Sequence, residues 1–254
     1  MSSKPTLGIV VPVCNEERLL SETLSHLLQI VSCSPVGVDV VVVDDGSDDA
    51  SAAVVGMFGP PVRLVRKLRG GVSSARNSGI AELATPVIAM LDADDRFTEA
   101  AIAEVLPFIL QPDTSPIVQG RLQDWHPEHA NVQLSLGPPY RSVNLGTAMF
   151  RREVFDHVGG FDERHVRHED YDWFLRAFDL RIPKTNIEAV TLHYRRRPDG
   201  LSVAPPGDST LARIHGAAIK RRRIGLAALP EGFPAPSDYF GVPPGARGAK
   251  QPLS

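Results

Sequence analysis

Short apolar runs alternate with helical patterns along the first 110 residues of the chain. The runs predict strands at Leu7–Val13, Val38–Val43, Val62–Val65 and Pro86–Leu91. Those with few polar members are typical of strands buried on both faces. Apolar positions recur at helix spacing from Leu19 to Val31, and further helices are predicted at Ser73–Leu83 and Thr98–Leu110. This alternation predicts right-handed βαβ units and a mostly parallel, Rossmann-like central sheet flanked by helices, in an α/β fold.

The pattern weakens beyond residue 110. Residues 111–140 are interpreted as loops plus edge structure, with one strand at Ile117–Leu122. Later elements are a strand at Val143–Phe150, a helix at Glu153–Val158, a turn at Gly159-Gly160, a helix at Glu169–Leu180, a strand at Ala189–Tyr194 and a helix at Ser209–Ile224. The Pro- and Gly-rich end is expected to be irregular, or ordered only against a partner. We divide the chain into a domain of residues 1–203, with halves 1–110 and 111–203, and a C-terminal helix and tail of residues 204–254.

Composition and charge narrow the class of protein. The chain has 254 residues, 43% hydrophobic residues and a formal net charge of −3. Such a chain is expected to be a soluble globular protein, and its near-neutral charge argues against nucleic acid as a partner. Its two cysteines, Cys14 and Cys33, cannot make a disulfide framework, and the apolar run around Cys14 predicts that it is buried. With no apolar signal core or membrane-spanning run, we expect a cytoplasmic location.

Acidic residues follow two of the predicted strands. Asp44 and Asp45 come directly after one strand, and Asp92, Asp94 and Asp95 come after another. In open α/β sheets, ligands bind at the carboxyl ends of strands. Closely spaced carboxylates repel one another, and a Mg²⁺ or Mn²⁺ ion shared with a diphosphate would offset that repulsion. The plainer interpretation is a turn with helix capping, which stays open for the first group in particular.

Three further groups could bind or react with a ligand. Gly70-Gly71 and the nearby Arg76 could approach a phosphate or a base, or form an ordinary capped loop. Glu169 and Asp170 begin a predicted helix, where acids complement the helix dipole but where one could also act as a general base. His193 and the run Arg195–Arg197 end the last predicted strand, as a diphosphate contact or a solvated basic loop.

Taken in order, these segments resemble family 2 glycosyltransferases with the GT-A fold. The resemblance covers residues 6–202 and runs through Ile9–Glu17, Asp44–Ser47, Ala75–Gly79, Asp92–Asp95 with its D-x-D spacing, Phe150–Arg152, Gly159–Glu163, Glu169-Asp170 and Tyr194-Arg195 with Ser202. It implies an inverting transferase that moves a sugar from a nucleotide sugar, with UDP favoured as the nucleotide, to a small-molecule, glycan or lipid-linked acceptor. A divalent cation, Mn²⁺ or Mg²⁺, would assist.

The resemblance also implies residue roles. The nucleotide pocket would comprise Pro12, Val13, Cys14, Glu16, Asp44, Asp45, Arg76, Asp92 and Ala93. The metal would be held by Asp94, with Asp95 beside it and His193 as a less securely placed ligand. Asp170, next to Glu169, would be the general base. Apart from the resemblance, we expect diphosphate or acceptor contacts from Arg195, Arg197 and Trp173, with Trp125, His126 and Tyr140 as further acceptor candidates.

Two departures from the family pattern bear on the donor. Cys14 stands where the family usually has an aromatic ring that stacks on the base, so base stacking should be weaker. Arg197 stands where the family often has histidine; arginine cannot coordinate a metal but can grip a diphosphate.

Three alternative functions fit these residues less well. A nucleotidyltransferase would need a basic Gly-rich loop after the first strand, where this chain has Asn15-Glu16-Glu17. A non-catalytic sugar-nucleotide sensor or synthase subunit is disfavoured by the presence of both Asp94 and Asp170. A dinucleotide oxidoreductase is set aside because no G-x-G-x-x-G follows the first strand. The basic run Lys220–Arg223 could touch an anionic membrane, or could simply end a solvated helix.

Overall fold

The strands of the protein form one sheet. The computed structural model describes residues 6–126, 135–197, 209–225 and 233–241. Its strands are β1 (Leu7–Val13), β2 (Val38–Asp45), β3 (Val62–Lys67), β4 (Val87–Met90), β5 (Arg96–Phe97), β6 (Ile117–His126), β7 (Ser135–Leu136), β8 (Ala148–Arg151) and β9 (Lys184–Arg195). They are arranged in the order β3-β2-β1-β4-β8-β6-β9-β5, with β7 paired to β6.

Helices cover both faces of this sheet. They are α1 (Glu17–Ser32), α2 (Ser51–Val55), α3 (Val72–Glu82), α4 (Leu106–Ile109), α5 (Glu153–Val158), α6 (Glu169–Asp179), α7 (Thr210–Gly225) and α8 (Pro236–Phe240), with a 3₁₀ turn at Leu145–Thr147. Among the residues described, no helix is long and apolar enough to cross a bilayer.

The apolar strand runs divide their side chains between two cores. Ile9 and Val11 of β1 pack with Leu24 of α1 on one face. Val10 of the same strand packs with Ala75 of α3 on the other face. Because side chains alternate along a strand, a run buried on both faces must be apolar throughout. The expectation of an α/β sheet between helical layers is therefore confirmed.

The carboxyl-terminal half of the sheet is mixed rather than parallel. Pairs among β1 to β4 are parallel, as expected. Strand β8 pairs antiparallel with both β4 and β6, while β6 and β9 are parallel. Strand β6 also lies inside the sheet instead of at its edge, so the interpretation of residues 111–140 as loops plus edge structure is partly wrong.

Element boundaries differ most in this second half. Strand β9 begins at Lys184, several residues before the predicted start, because its first half pairs with β6 despite its polar residues. Strand β8 begins only at Ala148, because Asn144 caps a 3₁₀ turn through a 2.8 Å bond that its Oδ1 accepts from the Gly146 N–H. The strand expected from Val143 is thus a turn followed by a short strand.

The helix predicted at Thr98–Leu110 has a wide first turn. Residues Ala101–Val105 form a π-helical turn, and α4 follows directly. Pro107 has no N–H and cannot continue the normal ladder of hydrogen bonds. A π turn beside a proline accommodates the missing donor while keeping the segment helical.

The C-terminal segment packs on the rest of the chain. Ile214 and Ala218 of α7 contact Leu175 of α6, and Tyr239 of α8 is fully buried in the second core. The prediction that the end of the chain is irregular is therefore wrong for α8. The boundary placed at residue 203, like Ser202, lies outside the described residues.

Helix α3 lies unusually close to strand β1. A Cβ added at Gly79 would come 2.3 Å from Cγ1 of Val10, closer than real Cβ atoms approach. The absence of a side chain there lets α3 settle on the sheet, which brings its first turn up to the strand ends.

We therefore expect Gly79→Ala to destabilise the protein by about 1–3 kcal/mol, since a packed core tolerates added volume poorly. Urea unfolding measures the change. Gly216 of α7 is the matched control, because a Cβ there would meet nothing within 4 Å. Gly216→Ala should be neutral or stabilising by up to about 1 kcal/mol, and an equal loss in both variants would contradict the close-approach argument.

Candidate functional site

The carboxyl ends of β1, β2 and β4 lie together where the strand order reverses across the sheet, and we call this candidate binding region the crevice. Strands β2 and β3 extend the sheet on one side of β1, and β4 lies on the other side. The segments that follow β1, β2 and β4 contain Cys14–Glu16, Asp44–Asp45 and Asp92–Asp95. Such a switch point is where open α/β sheets bind ligands.

The loops after β1 and β2 hold each other. Asn15, in the left-handed region with φ 57°, donates its N–H to the Ser47 hydroxyl at 3.0 Å. Its Oδ1 accepts from the Asp48 N–H at 2.8 Å. The N–H of the next residue, Glu16, donates to the Ser51 hydroxyl at 3.0 Å. These hydrogen bonds between the two loops fix the shape of this side of the crevice.

Asp44 and Asp45 are buried and already paired. Asp44 accepts from the Ser47 N–H at 2.9 Å and from Nε of Arg66 at 3.0 Å. Asp45 accepts from Nζ of Lys67 at 2.7 Å and from the Gly70 and Gly71 N–H groups at 2.9 and 2.7 Å. In the structure, Asp45 therefore anchors the glycine pair that starts α3.

Cys14 is exposed, so the expectation that it is buried is wrong. The chain leaves β1 at Val13, and the thiol points out of the core toward the Asp45 carbonyl at 3.6 Å. Burial of part of the side chain still raises the pKa of the thiol, while Arg69 opposes that rise. Of the other residues expected in the nucleotide pocket, three are buried and could only support its wall, namely Pro12, Val13 and Ala93. Cys14 is exposed and Glu16 is partly exposed, so both could contact a nucleotide.

Arg76 joins the two halves of the crevice. Its guanidinium donates to Oδ1 of Asp92 at 2.7 Å and forms a short ion pair with Glu169. Burial alone would lower the pKa of Arg76, but these two carboxylates raise it. Because the side chain is 4% exposed, this bridge fixes the start of α6 against the end of β4.

Asp170 lies next to this bridge and is half-buried. Burial and the neighbouring Glu169 raise the pKa of Asp170 to about 7, against the opposing charge of Arg76. Oδ1 of Asp170 accepts from the Tyr171 N–H at 2.7 Å. Helix α6 presents this carboxyl because His168, at φ 59°, turns the chain sharply before the helix begins.

Asp94 lies across the crevice from Glu16. Nη1 of Arg197 is 2.7 Å from Oε1 of Glu16 and 3.3 Å from Oδ2 of Asp94. Burial, Asp92 and Glu16 raise the pKa of Asp94 to about 6, and Arg197 opposes them. The crevice thus gathers negative charge around Asp94, which a bound cation would relieve.

Arg195 and Asp95 bond to other groups of the protein and hold the structure around the site in place. The Arg195 N–H donates to Oδ1 of Asp95 at 2.8 Å, and its Nε donates to the Asp94 carbonyl at 2.8 Å. Its guanidinium pairs with Glu22 and stacks 3.9 Å from the centre of the Trp125 ring. The expectation that Arg195 contacts the diphosphate does not fit this burial, and the stacked Trp125 is equally unsuited to contact an acceptor.

The predicted metal group does not come together. His193 of β9 pairs with Arg96 of β5, and burial, His26 and Arg96 lower the pKa of its imidazole. The Asp95 carboxylate already accepts a hydrogen bond from the Arg195 N–H. Across the described ranges, no three His, Cys, Asp or Glu side chains are grouped to hold a metal. Asp94 remains the candidate ligand.

Trp173 is completely buried and cannot contact a ligand as placed. Its ring packs edge-on against Phe150 at 5.3 Å, and its Nε1 donates to the Gly159 carbonyl at 2.9 Å. The helix position that suggested a contact faces the second core instead.

The site also depends on residues whose role the sequence analysis missed. Asn77 donates to the Phe161 carbonyl at 3.0 Å and accepts from the Phe161 N–H at 2.8 Å. A Cβ at Gly160 would come 2.5 Å from Oδ1 of Asn77. The Gly159–Phe161 turn therefore docks on α3 and leads into α6. Both segments, Ala75–Gly79 and Gly159–Glu163, stand out in the sequence, but nothing in the sequence shows that they are in contact.

The strand order and the charged side chains at the carboxyl ends of β1, β2 and β4 define the molecule as an α/β protein with a candidate ligand site at that edge of its sheet. Comparison with known proteins makes this specific. The model of glycosyl transferase family 2 matches residues 8–159. The chain therefore belongs to glycosyl transferase family 2, and it is a glycosyltransferase.

Relatives and solved structures agree with that assignment. The amylovoran biosynthesis glycosyltransferase AmsB of Erwinia amylovora is 30% identical over 215 residues, 74% of this chain and 69% of that protein. Chondroitin synthase of Pasteurella multocida is 26% identical over 187 residues, but these make up only 19% of its length, against 69% of this chain. The Bacillus subtilis protein EpsJ, described as an uncharacterized glycosyltransferase, is 23% identical over 79% of this chain and 64% of its own length.

Two solved structures share the fold, which confirms the expected GT-A-like architecture. S. aureus TarS 1-349 in complex with UDP-GlcNAc superposes with a TM-score of 0.71 at 16% identity, covering 88% of this chain and 68% of that one. The Pyrobaculum calidifontis mannosyltransferase PcManGT, in complex with GDP-Man and Mn²⁺, gives 0.60 at 17% identity, covering 90% and 67%.

The contacts of Arg195 predict that it acts on stability. Arg195→Gln should cost about 2–4 kcal/mol, because it leaves a buried network without its charge. Arg197→Gln, on a more exposed side chain two residues on, should cost less than about 1 kcal/mol. Urea unfolding of both variants measures the difference, and equal losses would count against the framework role of Arg195.

Proposed function

We propose that the protein transfers a sugar from a nucleoside diphosphate sugar to an acceptor hydroxyl by an inverting displacement. Asp170 acts as the general base. The observation that carries this proposal is a pair of ion pairs that share Arg76, one with Asp92 and one with Glu169. Glu169 is next to Asp170 in the sequence. These ion pairs couple the strand ends where a donor would bind to a carboxyl suited to proton removal.

The environment of Asp170 supports its role as a base. A carboxylate with a pKa near 7 binds a proton more strongly than an ordinary carboxylate, yet it is substantially ionised at neutral pH. It would take the proton of the acceptor hydroxyl as the hydroxyl oxygen forms its bond to the anomeric carbon. The bond from that carbon to the diphosphate breaks on the opposite side. Glu169, paired with Arg76, would position the helix rather than accept the proton.

The crevice supports a nucleotide as the donor's recognition group. Asp92 is partly exposed beside Arg76 and could accept hydrogen bonds from ribose or sugar hydroxyls. Two proteins of the same fold were solved with UDP-GlcNAc and with GDP-Man. A UDP-sugar is our first candidate, while the exposed Cys14 offers no ring on which a base could stack.

The residues present fit a divalent cation shared with the donor. Mg²⁺ and Mn²⁺ sites at substrate phosphates commonly use one or two protein carboxylates and leave the remaining positions to phosphate and water. Asp94, crowded by Asp92 and Glu16, would hold the ion. Once bound, the ion would neutralise charge on the diphosphate leaving group.

The test of the base is Asp170→Asn. Sugar transfer should fall by at least about a hundredfold, since general bases contribute roughly that much or more. Nucleotide affinity, measured by calorimetry, should be retained. Asp156→Asn, which removes an exposed acid from α5, is the matched control and should behave like the wild type. Full transfer by the Asp170 variant would refute the assignment.

The pH profile provides a second test. Because the base must be ionised, kcat/KM should rise with pH through about 7. Arg76 favours the ionised form, whereas Glu169 and Asp92 disfavour it. Arg76→Gln should therefore move the rising limb to higher pH, while Arg76→Lys, which keeps the charge, should move it less. An unmoved limb would show that another group titrates.

The donor is identified by calorimetric titration with UDP, GDP, CDP and TDP, each with and without Mn²⁺. Binding of one of them, strengthened by Mn²⁺, is the expected result. If the folded protein bound none of the four, the crevice would not be a donor pocket.

A further inference from the structure

Arg197 spans the crevice between its two acidic walls. One nitrogen, Nη1, lies within reach of both Glu16, which follows β1, and Asp94, which follows β4. The side chain is 23% exposed, and each of the two carboxylates is 25% exposed. The contact is thus accessible to solvent and can exchange, unlike the buried bridge of Arg76.

Three consecutive arginines, Arg195–Arg197, stand at the end of β9 and just beyond it, and each has different partners. Arg195 is locked into the framework around Trp125. Arg196 pairs with Asp124 at 2.9 Å and donates to the Tyr140 hydroxyl at 2.8 Å. Only Arg197 of the three directs its guanidinium to side-chain carboxylates of the proposed donor site.

The contact at Asp94 involves the same carboxylate that would hold a divalent ion. A guanidinium stays charged at any ordinary pH and cannot ligate a metal. A cation that approaches Oδ2 of Asp94 in the donor-free protein must therefore displace Arg197 or tolerate its charge at close range. Either choice weakens metal binding before the donor arrives.

A bound diphosphate would draw Arg197 away from Asp94 and would so favour metal binding. Arginine binds phosphate through parallel hydrogen bonds from two nitrogens, whereas here Nη1 divides itself between two carboxylates. Transfer of Arg197 to the donor's phosphate oxygens would release Asp94 at the moment when phosphate ligands for a metal become present.

We propose that Arg197 is the resting counter-ion of Asp94, which suppresses metal binding to the donor-free protein and moves to the diphosphate when the donor binds. The diphosphate half of this inference rests on the proposed function. The consequence is coupling: metal and nucleotide each bind more tightly in the presence of the other, beyond the ordinary attraction of Mn²⁺ to phosphate.

The experiment is Mn²⁺ binding to the donor-free protein, measured from the electron paramagnetic resonance signal of free Mn²⁺. Arg197→Gln should bind Mn²⁺ about tenfold more tightly than the wild type. Arg197→Lys, which keeps a positive charge, should stay close to the wild type. Arg196→Gln is the matched control, and its Mn²⁺ affinity should be unchanged. Thermal melting of each variant confirms that it is folded.

A second titration measures the coupling. UDP affinity without metal should fall about tenfold in Arg197→Gln, since a phosphate contact is lost. Equal Mn²⁺ affinity in the wild type, Arg197→Gln and Arg196→Gln would overturn the counter-ion role. Failure of the wild type to bind any nucleoside diphosphate would instead refute the donor site, and the metal titration without donor would still decide the role of Arg197 toward Asp94.

Discussion

The buried guanidinium of Arg76 is the interaction on which the site depends. It comes from α3, and it contacts Asp92 after β4 and Glu169 at the start of α6. Held this close without a cation, Asp92 and Glu169 would repel one another, and the buried Glu169 would be costly to desolvate. With Arg76 between them, the parallel half of the sheet and the mixed half are joined at the functional edge.

Packing around α3 makes that bridge possible. Gly79 lets the helix lie against Val10, Asp45 holds the glycine pair before its first turn, and Asn77 receives the Gly159–Phe161 turn. Each contact fixes α3 relative to a different element. The position of Asp170 thus follows from backbone packing several residues away, and not from the short acidic motif alone.

Much of the parallel half could be predicted because its strands are buried on both faces and are followed at once by acids. The predictions failed where a side chain's direction decided the outcome. Arg195 and Arg197 look alike in the sequence, yet one stacks on Trp125 and the other crosses the crevice. Trp173 lies on the core side of α6, and Cys14 lies just beyond the end of a buried strand. Pairings distant in sequence, such as β6 inside the sheet, leave no local periodicity to detect them.

The docking of α8 has a consequence for where the chain can be shortened. Lys184 sits between the rings of Phe174 and Tyr239 and donates to the Tyr239 carbonyl, and burial lowers its pKa to about 7. The Tyr239 ring in turn contacts the rings of Phe178, Phe233 and Phe240. Removing the residues from 233 onward would uncover the ring of Phe178 and the side chain of Lys184, which Phe233 and α8 cover. A protein truncated there would lose solubility, although every residue of the crevice would still be present.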